Sequence, residues 1–262
     1  MSSVRAVLLT ALPKVLLSRL TGLATSLPLP KGLRRPFYRW FARRYGAELG
    51  DVEGDLRRFR SLQQFFRREL RAGARPIAGS PLVWPCDGRI VTTGRLGDGR
   101  IEQIKGRTYA LADLLGDAAL AIALEGGSQA TIYLAPGDYH RVHAPFRARI
   151  EAVTAIPGTL FPVNPPAVRC IRDLFARNSR HVFRCRLPGD VPAAVVMVGA
   201  YNVGATLVSK REGEVEPGDE LGQFGFGSTA IVVIGPTGPV IPDCAGDSRT
   251  VMGRAMAEAL PD

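Results

Sequence analysis

The chain has 262 residues, of which 46% are hydrophobic and 22% charged, values that place it among ordinary globular proteins with a sizeable core and exclude a disordered or collagen-like chain. The formal net charge of +10 is concentrated at one end: residues 1–75 hold 16 Lys/Arg against 5 Asp/Glu, and the remaining 187 residues are close to neutral. Such a basic, apolar beginning suits an anionic surface. The four cysteines, Cys86, Cys170, Cys185 and Cys244, form no CxxC pair and signal neither a disulfide framework nor a zinc site.

Residues 4–28 are rich in leucine but interrupted by Arg5, Pro13, Lys14 and Arg19. A membrane-spanning helix needs roughly 20 predominantly apolar residues, which these interruptions deny. Leu8, Leu9, Leu12, Val15, Leu16 and Leu20 recur near helical spacing. The pattern predicts a helix lying in the bilayer interface. Residues 34–44, RRPFYRWFARR, interleave five arginines with Phe37, Tyr38, Trp40 and Phe41, types that suit lipid phosphates and the headgroup level. A core-packed helical hairpin with a solvated basic face fits the same residues, as does a nucleic-acid-binding arm. Membrane attachment is the expectation, with no nucleic-acid partner. SLQQFFRREL at 61–70 predicts a helix capped by Ser61 with Gln64 three residues on, burying Phe65, Phe66 and Leu70.

From about residue 80 short apolar runs alternate with Gly, Pro and Asp turns: RIVTTG, ATIYLAP, ARIEAVTAIPG, AAVVMVGAYNVGATLV and STAIVVIGP. These predict antiparallel strands, with helical signals only near 110–115 and 168–177. The expected fold class is α+β, an N-terminal helical, membrane-associating region (1–75) on a mainly antiparallel β core (76–262).

Two of the three histidines, His140 and His143, lie in YLAPGDYHRVHAP. Their side chains titrate near neutrality, so the pair invites a chemical reading, although a structural turn accounts for it equally well. Zinc is the other option at this spacing, but no third ligand is signposted and the glutamate of HExxH is missing, so no metal is expected. Asp87 in PCDGRI reads by itself as a turn residue, and Ser228 in QFGFGSTAIVVI as a serine in a Gly-rich hairpin.

Taken together, these segments resemble the phosphatidylserine decarboxylases over nearly the whole chain. The resemblance runs from LPKVLLSRLTG through LQQFFRREL, PCDGRI, IKGRTYALADLLG, YLAPGDYHRVHAP, IPGTLFPVN, LFARNSR and VGAYNVGAT to FGST, in the family's order and spacing. DYHRVH and GST are its most specific parts. One departure is Pro217 in EPGDELG, where the family often has Lys; it occupies a turn.

The resemblance implies a proenzyme that cuts itself between Gly227 and Ser228 into a large and a small chain. Ser228 would become a covalent pyruvoyl cofactor. The family's Asp–His–Ser triad falls on Asp87, His143 and Ser228, and His140 on a position linked with substrate handling and decarboxylation. The implied reaction converts phosphatidylserine to phosphatidylethanolamine and CO2 through a Schiff base with the pyruvoyl carbonyl. The implied partners are phosphatidylserine, anionic membrane lipid, the two chains of one precursor and a possible second copy in a homodimer. The implied location is peripheral, on the cytoplasmic face of the cell membrane.

Overall fold

The computed structural model describes residues 22–200, 206–225 and 228–257. The leucine-rich run through Leu20 and Gly227 of the expected cleavage bond lie outside the described residues. Helix α1 (Lys31–Tyr45) presents Tyr38, Phe41 and Ala42 inward and stops at Gly46, whose φ of 73° is left-handed. Helix α2 spans only Leu62–Phe66, capped by Ser61 Oγ accepting from Gln64 N at 3.3 Å. It is shorter than the sequence pattern suggests. Beyond Phe66 the chain turns so that Arg68, not Leu70, is buried. Tyr38, Phe41, Phe59, Phe65 and Phe66 form an aromatic core of their own, with Tyr38 stacked on Phe65 at a centroid distance of 4.6 Å.

The bulk of the chain is an eight-stranded antiparallel sheet in the order β10-β6-β7-β8-β12-β4-β1-β13. Its strands are β1 (Gly88–Arg95), β4 (Ser128–Leu134), β6 (Ala148–Ile156), β7 (Arg180–Leu187), β8 (Val191–Gly199), β10 (Gly213–Val215), β12 (Ser228–Ile234) and β13 (Arg249–Thr250). The predicted strands thus appear within the described residues, with residues 201–205 of AAVVMVGAYNVGATLV lying outside them, and the fold is α+β as expected. A second sheet joins β5 (Arg141–His143), β11 (Glu220–Gln223) and β9 (Leu207–Val208); β2 (Arg100–Ile104) and β3 (Arg107–Ala110) form a hairpin.

Strand β12 reads STAIVVI and is buried throughout, because it is central and covered on both faces. Side chains alternate across a sheet. Ala230, Val232 and Ile234 join one core with Trp84, Cys86, Val142 and Phe224, while Ile231 and Val233 join the other. The second core is closed by the short helices α3 (Leu111–Leu115), α4 (Ala118–Ala123), α5 (Pro165–Cys170) and α6 (Leu174–Arg177). All four cysteines are free. No helix among the described residues is long and apolar enough to cross a membrane. Leu23, Leu27, Leu33 and Trp40, 52–61% exposed, remain on the surface of the N-terminal region.

Candidate active site

Ser228 is the first residue of β12. It pairs with Leu134 of β4 on one side and Gly199 of β8 on the other. By the alternation along β12, its side chain belongs to the same face as Ala230, hence to the core shared with β5 and β11. Ser228 is completely buried, and its Oγ has no hydrogen-bond partner among the described residues. A buried hydroxyl without a partner carries a desolvation penalty of roughly 1–3 kcal/mol. Its position is set from behind by Asn178, whose Nδ2 donates to Gly199 O at 2.9 Å and to Phe161 O at 2.9 Å.

His143 ends β5, pairs in register with Glu220 and is 7% exposed. Its Nδ1 lies 2.8 Å from Gly218 O, and because a carbonyl only accepts, Nδ1 carries the proton. Burial lowers the His143 pKa, with the Asp87 and Glu220 charges acting in the opposite direction. The ring is therefore neutral at neutral pH, with its Nε2 lone pair accepting from the Tyr139 hydroxyl at 3.3 Å. Burial raises the Tyr139 phenol to about 12, which keeps it a donor. Gly218 has a φ of 94°, and a Cβ there would stand 2.6 Å from Ile77, so the turn that offers this carbonyl demands glycine. Pro217, the departure from the family pattern, precedes it in that turn.

His140 has no exposed surface. Its Nδ1 donates to Asp138 O at 2.8 Å, and its Nε2 is buried without a partner. Burial drives its pKa down to about 3. The Phe66 ring meets it edge-on at 5.0 Å. His140 immediately precedes β5 and His143 ends it, and the two rings have different neighbours: Asp138 O and Phe66 for His140, Gly218 O and Tyr139 for His143. No group of three metal-ligating side chains occurs among the described residues.

Asp87 is held differently from the direct Asp–His contact that a triad brings to mind. Its Oδ2 accepts from Arg75 Nη2 at 2.6 Å, and its Oδ1 accepts from Arg75 Nε at 3.1 Å and from the backbone N of Met252 at 2.9 Å. Arg75 also binds Asp51 at 2.8 Å. Asp87 thus reaches His143 through its charge and makes no hydrogen bond to it among the described residues. It shares a small recess with Arg68, Arg75, Asp138, Tyr139 and Arg249. The Asp138 carboxyl is pushed up to about 6, chiefly by burial and further by the Asp87 charge.

Three contacts tie the N-terminal region into this site. Phe66 touches His140, Arg75 grips Asp87, and Arg68 Nη2 donates to Gly137 O at 2.8 Å and Asp138 O at 3.0 Å. Gly137 is itself required: a Cβ there would fall 2.1 Å from Tyr45 O at the end of α1. The expected boundary at residue 75 therefore divides residues that are in direct contact. Tyr139, Arg68, Arg75 and Asp138 are site neighbours that sequence reasoning did not single out. The only signal for Tyr139 and Asp138 was their place inside GDYHRVH, and that for Arg68 its place inside LQQFFRREL.

The fold thus holds a buried serine that opens a central strand and two buried, neutral histidines whose tautomers are set by backbone carbonyls, residue types suited to proton transfer away from bulk water. A sequence profile described as phosphatidylserine decarboxylase matches residues 62–258. A phosphatidylserine decarboxylase proenzyme of Anaeromyxobacter sp. strain K is 42% identical over 250 residues, covering 87% of this chain and 88% of the relative. Proenzymes of the same name from Pseudomonas aeruginosa and Chromobacterium violaceum are 40% and 37% identical, each covering 94% of this chain and 93% and 95% of the relative. The chain belongs to the phosphatidylserine decarboxylase family.

Proposed function

We propose that this protein is a self-cleaving precursor that converts Ser228 to a pyruvoyl group and then decarboxylates phosphatidylserine to phosphatidylethanolamine at the cytoplasmic face of a membrane. The observation that carries the reading is Ser228 itself: a fully buried hydroxyl with no partner, at the head of a central strand, in a chain of this family.

In maturation, His143 Nε2 takes the Ser228 hydroxyl proton and Oγ attacks the Gly227 carbonyl. The peptide bond becomes an ester, and the imidazolium proton passes to the departing amine. Loss of the Ser228 Cα proton then expels the large chain as a carboxylate ending at Gly227. The dehydroalanine left at position 228 takes up water and releases ammonia. Gly218 O fixes the His143 tautomer, and the Asp87 charge favours the imidazolium that forms transiently. The same charge is held in place by Arg75.

Once formed, the pyruvoyl carbonyl supplies an electron sink for the pair left when CO2 departs. His140, whose Nε2 is buried without a hydrogen-bond partner among the described residues, is the candidate that delivers a proton to Cα after CO2 is lost. The exposed Leu23, Leu27, Leu33 and Trp40, among the arginines of residues 34–44, give the substrate's bilayer a docking face.

The test is the intact mass of the purified protein under denaturing conditions, paired with release of labelled CO2 from carboxyl-labelled phosphatidylserine. Two fragments are expected, one ending at Gly227 and one comprising 228–262 that resists N-terminal sequencing, while Ser228→Ala stays whole and releases no CO2. A single intact chain in an active preparation refutes the mechanism.

A further inference from the structure

A cavity of about 430 Å³ opens beside the site, lined by Arg58, Gln63, Gln64, Arg67, Arg68 and Arg141, with Phe59 and Glu69 at its edge. We propose that it seats the phosphodiester of the lipid headgroup, so that these arginines hold phosphatidylserine by its phosphate and discriminate against free serine; the proposal rests on the decarboxylase reading above.

Four guanidinium groups face one carboxylate, and that carboxylate, Glu69, is 60% exposed. Arg68 is only 3% exposed. Its Nη2 is committed to Gly137 and Asp138 carbonyls, but its Nε and Nη1 have no partner. Arg141, 13% exposed, has Nη1 on Glu220 at 2.6 Å and Nη2 on Arg67 O at 2.9 Å and Glu69 at 3.2 Å, and its Nε has no partner. Buried cationic donors left unsatisfied are costly, and a phosphate oxyanion is their natural acceptor, since the guanidinium fork matches its geometry.

The position fits the substrate. Arg68 and Arg141 tie residues 67–68 to residues 137–141, the segment that carries His140, and Phe66 at the end of α2 meets the His140 ring edge-on. In phosphatidylserine the phosphate and the reacting amine are joined by a short tether, so the phosphate seat must adjoin the reacting centre. A flat bilayer surface is the poorer occupant. Arg68 and Arg141 are too deeply set to meet one, whereas the arginines flanking the exposed Trp40 and Leu33 of α1 are open to it.

The test compares the full-length matured protein with Arg58→Gln and Arg68→Gln in phosphatidylserine micelles. Arg58 is the safer variant, because its contacts are an exposed ion pair with Glu69 at 3.9 Å and the Phe59 ring at 5.0 Å. Expected are complete self-cleavage, a rise in KM of about tenfold, the scale of one charge-assisted hydrogen bond, and kcat changed by less than about threefold. Binding to phosphatidylglycerol–phosphatidylcholine vesicles should be unchanged. In calorimetric titration, glycerophosphoserine should bind the wild type more tightly than inorganic phosphate does, and Arg58→Gln should weaken it by the same factor. An unchanged KM in Arg58→Gln overturns the proposal even where Arg68→Gln fails to fold. So does a KM that rises in step with lost vesicle binding, which assigns the arginines to the membrane surface, or inorganic phosphate binding the more tightly. Arginine-dependent binding of glycerophosphoserine by a wild type that releases no CO2 from phosphatidylserine would sink the decarboxylase reading and leave the phosphodiester seat standing.

Discussion

Asp138 and His140 carry opposite pH dependences that cancel, and Asp138→Asn should expose the hidden one. The Asp138 carboxyl is raised from 3.8 to about 6, mainly by burial, and His140 is lowered from 6.5 to about 3, again by burial. Between pH 4 and 6 the unfolded chain has Asp138 ionised and His140 protonated, and the folded chain has the reverse. Asp138 alone therefore makes stability fall as pH rises through this window, by about 1.4 kcal/mol per pH unit, and His140 alone makes it rise by the same amount. Together they take up no net proton on unfolding.

Asparagine keeps an acceptor for the Ala135 N–H, which Asp138 Oδ2 holds at 2.6 Å, but removes the falling limb. In a Ser228→Ala background, urea unfolding at pH 4, 5 and 6 should show Asp138→Asn gaining about 2 kcal/mol relative to its parent between pH 4 and pH 6, since both ends of the window lie close to a pKa. His143 and His181, both lowered by burial, contribute equally to the two proteins and drop out of the difference. A stability difference that is the same at all three pH values refutes the reasoning.

The two histidines should separate on mutation: His143→Ala blocks cleavage of the chain, seen on a denaturing gel, while His140→Ala matures and turns over phosphatidylserine poorly. The reverse pattern would exchange their roles. Arg75→Met leaves Asp87 buried without its cation and should cost about 3–5 kcal/mol in urea unfolding, with a smaller loss when Asp87→Asn is added, because the stranded charge is then gone. Vesicle binding should be stronger on anionic than on neutral lipid. It should weaken but persist in 1 M salt, where the Debye length shrinks from about 10 Å to about 3 Å, because apolar burial is unscreened. Trp40→Ala with Leu33→Ala should remove the salt-resistant part, and unchanged binding would argue against this docking face.

The sequence by itself determined the strand pattern, the class of fold and the family. Continuous apolar runs such as STAIVVI and ATIYL mark strands covered on both faces, and motifs such as DYHRVH and FGST are contiguous and so survive without coordinates. It marked Asp87, His140, His143 and Ser228 through those motifs. Only the tertiary structure decided what each of them touches. The acceptor for His143 Nδ1 is the carbonyl of Gly218, 75 residues away, and the partner of Asp87 is Arg75, on the far side of a boundary drawn from composition. The short α2 shows why. Its sequence pattern puts a buried leucine at 70, but the turn after Phe66 leaves Leu70 half-buried and buries Arg68 instead. Local periodicity reports which face is apolar. It carries no record of a carbonyl brought in from Gly137 that can satisfy a guanidinium, and that distant acceptor is what makes burial of Arg68 tolerable.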